Sequence, residues 1–175
     1  MGLWEVAGCV VVGILGLALG RIGWKLWGPS KYNKYDRVGE IAGVRDCLFC
    51  GFVRDMERPV YEDDFVLAFN DISPFATRHI LLIPKRHIKN LLALKKEDLG
   101  LLEHMKDVAQ KLDSGLGTQG ADFIFHKSAF NSILHLHLHI MFYPLTRPFL
   151  RRIIFNPLFC STIDSTISGL KTKST

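Results

Sequence analysis

Short stretches in which apolar and polar residues alternate predict a β-sheet in the middle of the chain. Five strands follow from this pattern: Pro59–Asp63, Phe65–Phe69, His79–Ile83, Ala121–His126 and Leu134–Tyr143. Between the third and the fourth strand, apolar residues recur instead at helical spacing, from Leu99 to Leu112. Five strands with one long helix predict an α+β domain built on an antiparallel sheet.

The beginning of the chain has a different pattern, a long apolar run. Residues 3–27 are mostly apolar, and their longest uncharged part after Glu5 is Val6–Gly20. This part has 15 residues, fewer than the about 20 that span a bilayer. The cations that follow it have long side chains that can reach the headgroup zone. We therefore predict that residues 1–28 form a transmembrane-like helix and that residues 3–27 anchor the protein to a membrane.

Two alternatives stay open for this segment: a cleaved signal peptide, and a soluble helix or poorly ordered extension. A signal peptide carries positive charge before its apolar run, whereas the cations here come after it, from Arg21 to Arg37. By the positive-inside rule, the same cations place the rest of the chain on the cytosolic side. The prediction is a membrane-anchored protein whose catalytic domain faces the cytosol, and the alternative is a protein of the cytoplasm or nucleus.

Changes in composition divide the chain into four parts. A Gly-Pro-Ser sequence after Trp27 breaks the apolar run, and residues 29–46 have the polar composition of a linker. Residues 47–146 hold all of the predicted strands and form the predicted domain. Residues 147–175 are a basic C-terminal extension, whose amphipathic stretch Phe149–Phe159 can either pack on the sheet or contact lipid.

The positive charge is concentrated at the two ends of the chain. The 175 residues carry a formal net charge of +5. Residues 1–37 contribute +3 and residues 147–175 contribute +4, which leaves −2 for the part between them. A domain that binds nucleic acid needs a basic groove, so we expect no nucleic-acid partner. The four cysteines are too few for a disulfide scaffold.

The strongest chemical signal is the sequence His135-Leu-His137-Leu-His139. Alternate residues of a strand share a face, so the three imidazoles are predicted on one face and the two leucines on the other. Neighbouring imidazoles repel one another when charged and are costly to bury without partners. The pattern therefore indicates binding of a metal, binding of an anion such as phosphate, or a catalytic role.

A second signal is the pair Cys47 and Cys50, which has Cys-x-x-Cys spacing. This spacing suits two thiolates on one Zn²⁺ ion, which takes four ligands. His87, which follows the third predicted strand, and His135 are the candidates for the other two ligands. The sequence thus predicts a structural zinc site, and the alternative is a reduced pair without metal.

Four segments stand in the order and spacing of the histidine triad (HIT) superfamily, which the chain resembles over roughly residues 47–169. These segments are Cys47–Cys50, Phe69–Pro74, Arg78–Ile88 and His135–Met141. Within the superfamily the chain is similar to the Hint branch of histidine triad nucleotide-binding proteins, and most similar to its third subgroup. The resemblance implies the HIT fold, a homodimer, and hydrolysis of adenosine 5′-monophosphoramidates to AMP and an amine.

The resemblance also implies roles for the matching residues. His137 matches the nucleophile, which holds AMP as a covalent intermediate until water hydrolyses it. His139 and Ser132 match residues that contact the phosphate, and Ser132 also matches a group that helps to protonate the departing amine. His79 matches the histidine that orients the nucleophile. No metal is required for this chemistry, so the predicted zinc is structural.

The nucleotide-binding residues complete the resemblance. Asp71 matches the residue that receives the ribose hydroxyls, and Ile72 lines the base pocket beside it. The loop from His126 to Asn131 departs from the first Hint type, and His126 and His104 receive no role. Two alternatives therefore stay open: a hydrolase of dinucleoside polyphosphates or adenylyl conjugates, as in other HIT branches, and a signalling scaffold that binds AMP with little turnover.

Overall fold

The computed structural model describes residues 47–115, 120–146 and 153–173, all of which belong to the unit of residues 38–175. The α-helices in this part of the chain are α1 (Leu48–Asp55), α2 (Leu99–Gly115) and α3 (Ile163–Thr172). The strands are β1 (Tyr61–Glu62), β2 (Val66–Asn70), β3 (Ala76–Pro84), β4 (Ala121–His126), β5 (Leu138–Leu145) and β6 (Cys160–Thr162). Single 3₁₀ turns are Leu91–Ala93, Lys96–Asp98, Ser128–Phe130 and Ile153–Phe155.

The six strands form one antiparallel sheet in the order β1-β2-β3-β5-β4-β6. Strand β5, which carries the end of the histidine motif, therefore lies between β3 and β4. Its His139 stands opposite Leu81 of β3 and Ile124 of β4. At the edge of the sheet, His126 of β4 stands opposite Cys160 of β6.

Both faces of the sheet are covered, and side chains alternate between them. One face packs against α2 and α3 and forms the main core, which includes Ile80, Leu82, Leu136, Leu138 and Ile140. The opposite face carries a cluster against α1, with Phe49, Leu67, Phe69, Leu81 and Ile83, and a second cluster with Phe75, Ala76, Ile124, Met141 and Cys160. The leucines of the histidine motif thus enter the main core, and the histidines lie on the other side.

The sixth strand corrects the sequence-based prediction of five strands, which is wrong. Strand β6 has three residues, too few for a two-residue period to be recognised. The predicted strand from Leu134 begins later, at Leu138, so His135 and His137 precede the strand. The antiparallel α+β class of the fold agrees with the prediction.

Part of the basic C-terminal region belongs to the same core. The hydroxyl of Thr162 accepts a hydrogen bond from the Ser165 N–H at 3.1 Å and caps α3. Ile163, Ile167 and Leu170 of α3 are buried in the main core. Two ion pairs join this helix to α2, Lys106 with Asp164 and Lys171 with Glu103.

The predicted transmembrane helix is also corrected. In the part of the chain that the structure describes, no helix is both long and apolar enough to cross a bilayer. Residues 3–27, on which the prediction rested, and the linker 29–46 lie outside the described residues. The membrane-anchored localisation depended on that helix and is withdrawn with it. The homodimer stays a prediction.

Candidate active site

His137 is buried and is held in one tautomer by the backbone. Its Nδ1 lies 2.7 Å from the carbonyl oxygen of His135. A carbonyl only accepts, so Nδ1 carries the proton and Nε2 carries the lone pair. The edge of the Phe49 ring contacts the imidazole, at 5.4 Å between ring centroids. His137 thus combines a fixed orientation with an unprotonated nitrogen, as a nucleophile requires.

A chain of hydrogen bonds fixes the protons of two further histidines. The backbone N–H of Phe75 donates to Nδ1 of His79 at 3.3 Å, which leaves the His79 proton on Nε2. That N–H lies 2.8 Å from Nδ1 of His139 and donates to it. The remaining proton of His139 is therefore on Nε2. Within the described residues this buried Nε2–H has no hydrogen-bond partner, so it is available to a ligand.

Burial keeps these rings neutral at physiological pH. Burial lowers the pKa of His79 to about 4, with Asp71 opposing the shift and His137 adding to it. Burial also lowers the pKa of His137, against the opposing effects of its hydrogen bond to His135 and of Asp71. The pKa of His139 lies well below its ordinary value because of burial and then the neighbouring histidines. A neutral imidazole is the form that can attack phosphorus.

Asp71 and Ile72 lie at the edge of this group, in the turn after β2. The Asp71 carboxylate accepts a hydrogen bond from the Ser73 N–H at 2.8 Å and caps the turn. Its other oxygen lies 3.4 Å from Nδ1 of His79, so the same side chain also faces the histidines. The side chain of Ile72 is 70% exposed. Neither its exposure nor the position of Asp71 conflicts with a nucleotide above this turn.

Ser132 differs from the histidines in its exposure to solvent. It is exposed on the segment between β4 and β5, and in the described part of the chain it makes no hydrogen bond. Ser128, on the same segment, has a buried hydroxyl without a partner among the described residues. The structure therefore brings His79, His137 and His139 together, whereas Ser132 is exposed and makes no hydrogen bond among the described residues.

Two residues that received no role in the sequence also face the triad. The ring of His126 is buried against His139, at 4.8 Å between centroids and 81° between planes. Phe155, from the C-terminal region, contacts the rings of both His126 and His139, at 4.9 and 5.4 Å. The alternation along β4 puts His126 on the face opposite to Phe125, and this signal could have found it. Phe155 has no comparable signal.

We call His79, His126, His137 and His139 the histidine cluster. A second group, the thiol cluster, consists of Cys47, Cys50, His87 and His135, whose ligand atoms all lie within 4.8 Å of one another. The two cysteines are at the start of α1, where Cys47 is the N-cap. One helical turn therefore places both sulfur atoms on the same side.

The thiol cluster has the dimensions of a tetrahedral metal site. Nδ1 of His135 lies 3.4 and 3.5 Å from the two sulfur atoms, and Nδ1 of His87 lies 3.3 Å from Cys50 Sγ. In a tetrahedral zinc site, sulfur and nitrogen ligands are about 3.5 Å apart, given Zn–S of about 2.3 Å and Zn–N of about 2.0 Å. The Nε2–H of His135 donates to the Pro84 carbonyl at 2.9 Å, so Nδ1 presents its lone pair to the sulfur atoms.

Without a cation, the thiol cluster is a poor place for negative charge. Burial and then the neighbouring Cys47 raise the pKa of Cys50 to about 12. The pKa of His87, by contrast, is lowered by burial. These residues therefore fit a zinc ion, which supplies the positive charge that two thiolates need.

Another grouping of possible ligands, Asp71 with His79 and His139, has a different character. Here the ring nitrogens of the two histidines are hydrogen-bonded to each other, and the other nitrogen of His79 accepts from a backbone N–H. The lone pairs are thus engaged within the protein. This grouping is a hydrogen-bond chain that orients His139 toward a ligand.

The fold, the triad and the comparisons together define the class of protein. The family model described as "Scavenger mRNA decapping enzyme C-term binding" matches residues 46–154. Solved histidine triad proteins share the fold: one from Clostridium difficile has 32% sequence identity and a TM-score of 0.54, with 60% of this chain and 96% of that chain covered. The chain belongs to the histidine triad superfamily.

Among named relatives, the similarity is to Hint proteins. The bifunctional adenosine 5′-phosphosulfate phosphorylase/adenylylsulfatase HINT4 of Arabidopsis thaliana is 44% identical over 110 residues, which cover 59% of this chain and 75% of that protein. The adenosine 5′-monophosphoramidase HINT3 of Xenopus tropicalis is 32% identical over 133 residues, which cover 71% of this chain and 87% of that protein. These relatives confirm the resemblance read from the motifs.

Proposed function

We propose that this protein is a nucleotide hydrolase that cleaves the P–N bond of adenosine 5′-monophosphoramidates. The observation that carries the proposal is the fixed tautomer of His137, a buried neutral imidazole with its Nε2 lone pair available. Two relatives from Xenopus tropicalis and Danio rerio are named as enzymes of this activity. Their identities of 32% and 30% support the reaction class for this chain.

In the first step of this proposal, the Nε2 lone pair of His137 attacks the α-phosphorus. A P–N bond to Nε2 forms, the P–N bond to the substrate amine breaks, and the amine leaves with a proton. The Nε2–H of His139 donates a hydrogen bond to a non-bridging phosphate oxygen, where negative charge develops. His79 acts through His139, because its Nε2–H keeps the facing Nδ1 unprotonated.

In the second step, water attacks the phosphorus and the bond to His137 Nε2 breaks. AMP is released, and the imidazole returns to its starting tautomer because the His135 carbonyl still holds the Nδ1 proton. Covalent catalysis of this kind divides one difficult displacement into two easier ones. In this proposal Ser132 protonates the leaving amine and regains a proton from the attacking water, Asp71 binds the ribose hydroxyls, and Ile72 contacts the base.

The thiol cluster has a structural role in this proposal. A zinc ion held by Cys47, Cys50, His87 and His135 would join the start of α1 to the segment that precedes β5. His135 supplies the ligand on one side and the carbonyl for His137 on the other. Zinc would thus fix the backbone that orients the nucleophile, and the ion would take no part in phosphoryl transfer.

A second candidate substrate is adenosine 5′-phosphosulfate. The Arabidopsis relative named for this substrate has 44% identity over the matched residues. Attack at the same α-phosphorus would then expel sulfate instead of an amine. The histidine cluster serves both reactions, since the bond to His137 Nε2 and the adenylyl group are the same.

The test is turnover of a substrate panel by the full-length protein. The panel contains a fluorogenic adenosine 5′-phosphoramidate, adenosine 5′-phosphosulfate and a dinucleoside polyphosphate, each assayed with the wild-type protein and with His137→Ala. We expect the phosphoramidate to have the highest kcat/KM and the variant to release no AMP. Wild-type enzyme denatured at alkaline pH during turnover should carry a labelled adenylyl group that is absent from the variant, and acid should release the label because the P–N bond to histidine is labile to acid.

Each other outcome identifies an alternative. A higher kcat/KM for the phosphosulfate or for the dinucleoside polyphosphate would identify that compound, and not the phosphoramidate, as the substrate class. Tight AMP binding without turnover of any panel member would favour a binding scaffold. Full activity of His137→Ala would contradict the mechanism itself.

A further inference from the structure

The proton that His139 offers to a phosphate is covered in the free protein. The His139 side chain is 6% exposed, and its Nε2 is buried without a hydrogen-bond partner among the described residues. The Nε2 of His126, whose ring contacts His139 at 4.8 Å between centroids, is buried in the same way. A ligand can therefore reach this part of the histidine cluster only after a covering group has moved.

The group that covers these rings comes from the C-terminal region. Phe155 contacts the rings of His126 and His139, at 4.9 and 5.4 Å between centroids, and that of His79 at 6.1 Å. Among the described residues, the other rings that contact His139 are those of His79, His126 and His137. These three belong to the sheet or to the segment that leads into β5. Phe155 thus covers the cluster from outside the sheet.

The 3₁₀ turn that carries Phe155 is attached more firmly after the turn than within it. After the turn, the N–H of Cys160, the first residue of β6, donates to the Asn156 carbonyl at 3.0 Å. Within the turn, the polar contact that the described residues make with another element is that of the Cys160 thiol, which donates to the Ile154 carbonyl at 3.2 Å. A thiol is a weak donor. The turn can therefore swing about Asn156 while β6 stays paired with β4.

The closed position of Phe155 combines a favourable and an unfavourable contribution to the free energy. Its ring packs against Phe75, at 4.8 Å between centroids, and is partly buried in the cluster that includes Met141. The same position leaves the buried Nε2 atoms of His126 and His139 unpaired, which costs free energy. An anion that accepts from His139 Nε2 binds only the open position, so its binding shifts the equilibrium toward opening.

We propose that Phe155 is a movable cover of the phosphate site, and that its turn swings away before a phosphate oxygen reaches His139 Nε2. The C-terminal region thereby controls access to the histidine cluster, and it closes the site to water when no ligand is bound. The inference rests on the proposed function in one respect: the group that takes the place of the ring is the α-phosphate of an adenylyl ligand.

The test compares the association rates of ligands with and without a phosphate. Full-length wild-type protein and Phe155→Ala are mixed by stopped flow with a fluorescent purine analogue of AMP and with the corresponding nucleoside. We expect Phe155→Ala to raise the association rate constant of the nucleotide about 3- to 30-fold, because the closed position no longer reduces the binding-competent fraction. The nucleoside has no group for His139, so its rate constant should change less than about twofold.

Leu158→Ala is the matched control, since Leu158 lies on the same segment and is 74% exposed. This substitution should leave both rate constants unchanged. Slower association of the nucleotide with Phe155→Ala would show that the ring binds the ligand instead of covering its site, and would overturn the inference. An unchanged rate constant, an equal rise for nucleotide and nucleoside, or nucleotide binding by neither protein would overturn it too.

A measurement on the wild-type protein detects the movement itself. Nuclear Overhauser effects between the ring protons of Phe155 and His126 should be present in the free protein and should vanish when AMP is added, but not when adenosine is added. Effects that persist with bound AMP would contradict the inference. The outcomes stay distinct from those of the turnover assay: AMP binding that Phe155 controls, without turnover, would support the cover while the proposed activity fails.

Discussion

One motif supplies His135 to the thiol cluster and His137 and His139 to the histidine cluster, yet the ring nitrogens of the two clusters face different partners. In the thiol cluster, Nδ1 of His87 and Nδ1 of His135 converge on two sulfur atoms. In the histidine cluster, His137 and His139 each have one nitrogen engaged by the protein. The first arrangement gathers lone pairs at one point, and the second leaves one nitrogen of His137 and one nitrogen of His139 available for chemistry.

The hydrogen bond that one ring nitrogen makes therefore determines what the other nitrogen of the same ring can do. His135 donates to the Pro84 carbonyl through Nε2 and so presents a lone pair from Nδ1. His137 donates to a carbonyl through Nδ1 and so presents a lone pair from Nε2. His139 accepts at Nδ1 and so presents a proton from Nε2. The three histidines of one motif thus have three different roles, and hydrogen bonds to the backbone and to His79 determine the role of each ring.

The largest expected effect is the loss of activity when the histidine cluster loses its proposed nucleophile. His137→Ala should lower kcat/KM by at least about 10³-fold, because no other group can form the covalent intermediate. Its zinc content should match that of the wild type, whereas its unfolding free energy should fall because a buried ring is removed. Metal analysis and denaturant titration beside the activity assay check this, and loss of zinc in this variant would show that the clusters are not independent.

The converse experiment removes the metal ligands. Cys47→Ser combined with Cys50→Ser should abolish zinc binding and lower the free energy of unfolding by about 4 kcal/mol at a zinc concentration a thousand times Kd. Activity per folded molecule should fall much less than in His137→Ala. Urea titration with and without a chelator measures the stability difference. Equal stability of the wild-type protein in both conditions would argue against a structural metal.

Acid should lower the free energy of unfolding over the pH range in which the buried histidines resist protonation. Burial lowers the pKa of His79 and of His126 to about 4, whereas an unfolded histidine titrates near 6.5. Below about pH 6.5 the unfolded state binds protons that the folded state does not, so the free energy of unfolding falls as the pH falls toward about 4. His126→Phe should make this slope shallower by about 1.4 kcal/mol per pH unit, as measured by urea titration at several pH values.

Substitution of His79 tests how the proton of His139 is positioned within the histidine cluster. Replacing it with Asn should lower kcat about 10- to 100-fold, because the proton on His139 is no longer assigned to Nε2. The KM should change little, since His79 itself is not expected to contact the substrate. Steady-state kinetics distinguish the two parameters. A change in KM alone would place His79 in the binding surface instead.

The smallest effect is expected outside both clusters. Ile72→Ala should raise the KM for adenosine substrates about two- to fivefold and leave kcat unchanged, because an exposed apolar side chain gains only modestly from contact with a base. Comparison of adenine and pyrimidine nucleotides checks the assignment. An equal change for both bases would show that Ile72 contacts something other than the base.

The sequence predicted those parts of the molecule that have a local pattern. The helical spacing from Leu99 gave α2, and the apolar run before Pro84 gave β3. The residues proposed as zinc ligands were chosen from the spacing of the two cysteines and from the positions of the two histidines relative to the predicted strands, and the structure brings all four together. These features are visible because each depends on short-range periodicity or on a motif with fixed spacing.

Other parts depend on pairing between distant segments, which a single sequence does not display. Cys160 reaches His126 only because β6 adds to the edge of β4. Phe155 reaches the same ring from a 3₁₀ turn that has no amphipathic period. For the same reason the number of strands was underestimated, since a three-residue strand is defined by its neighbour and not by its own residues.

The docking of the C-terminal region extends the core beyond the residues that carry the family motifs. A chain that stopped at residue 146 would keep every residue by which the motifs are identified, from Cys47 to His139. It would nevertheless lose three aliphatic side chains of the main core, the strand that covers β4, and the aromatic ring over the histidines. The family match itself ends at residue 154, before β6 begins. The stretch that carries the family match is therefore shorter than the stretch that builds the core. We expect a chain truncated between these two limits to keep the complete signature and to have an unstable site.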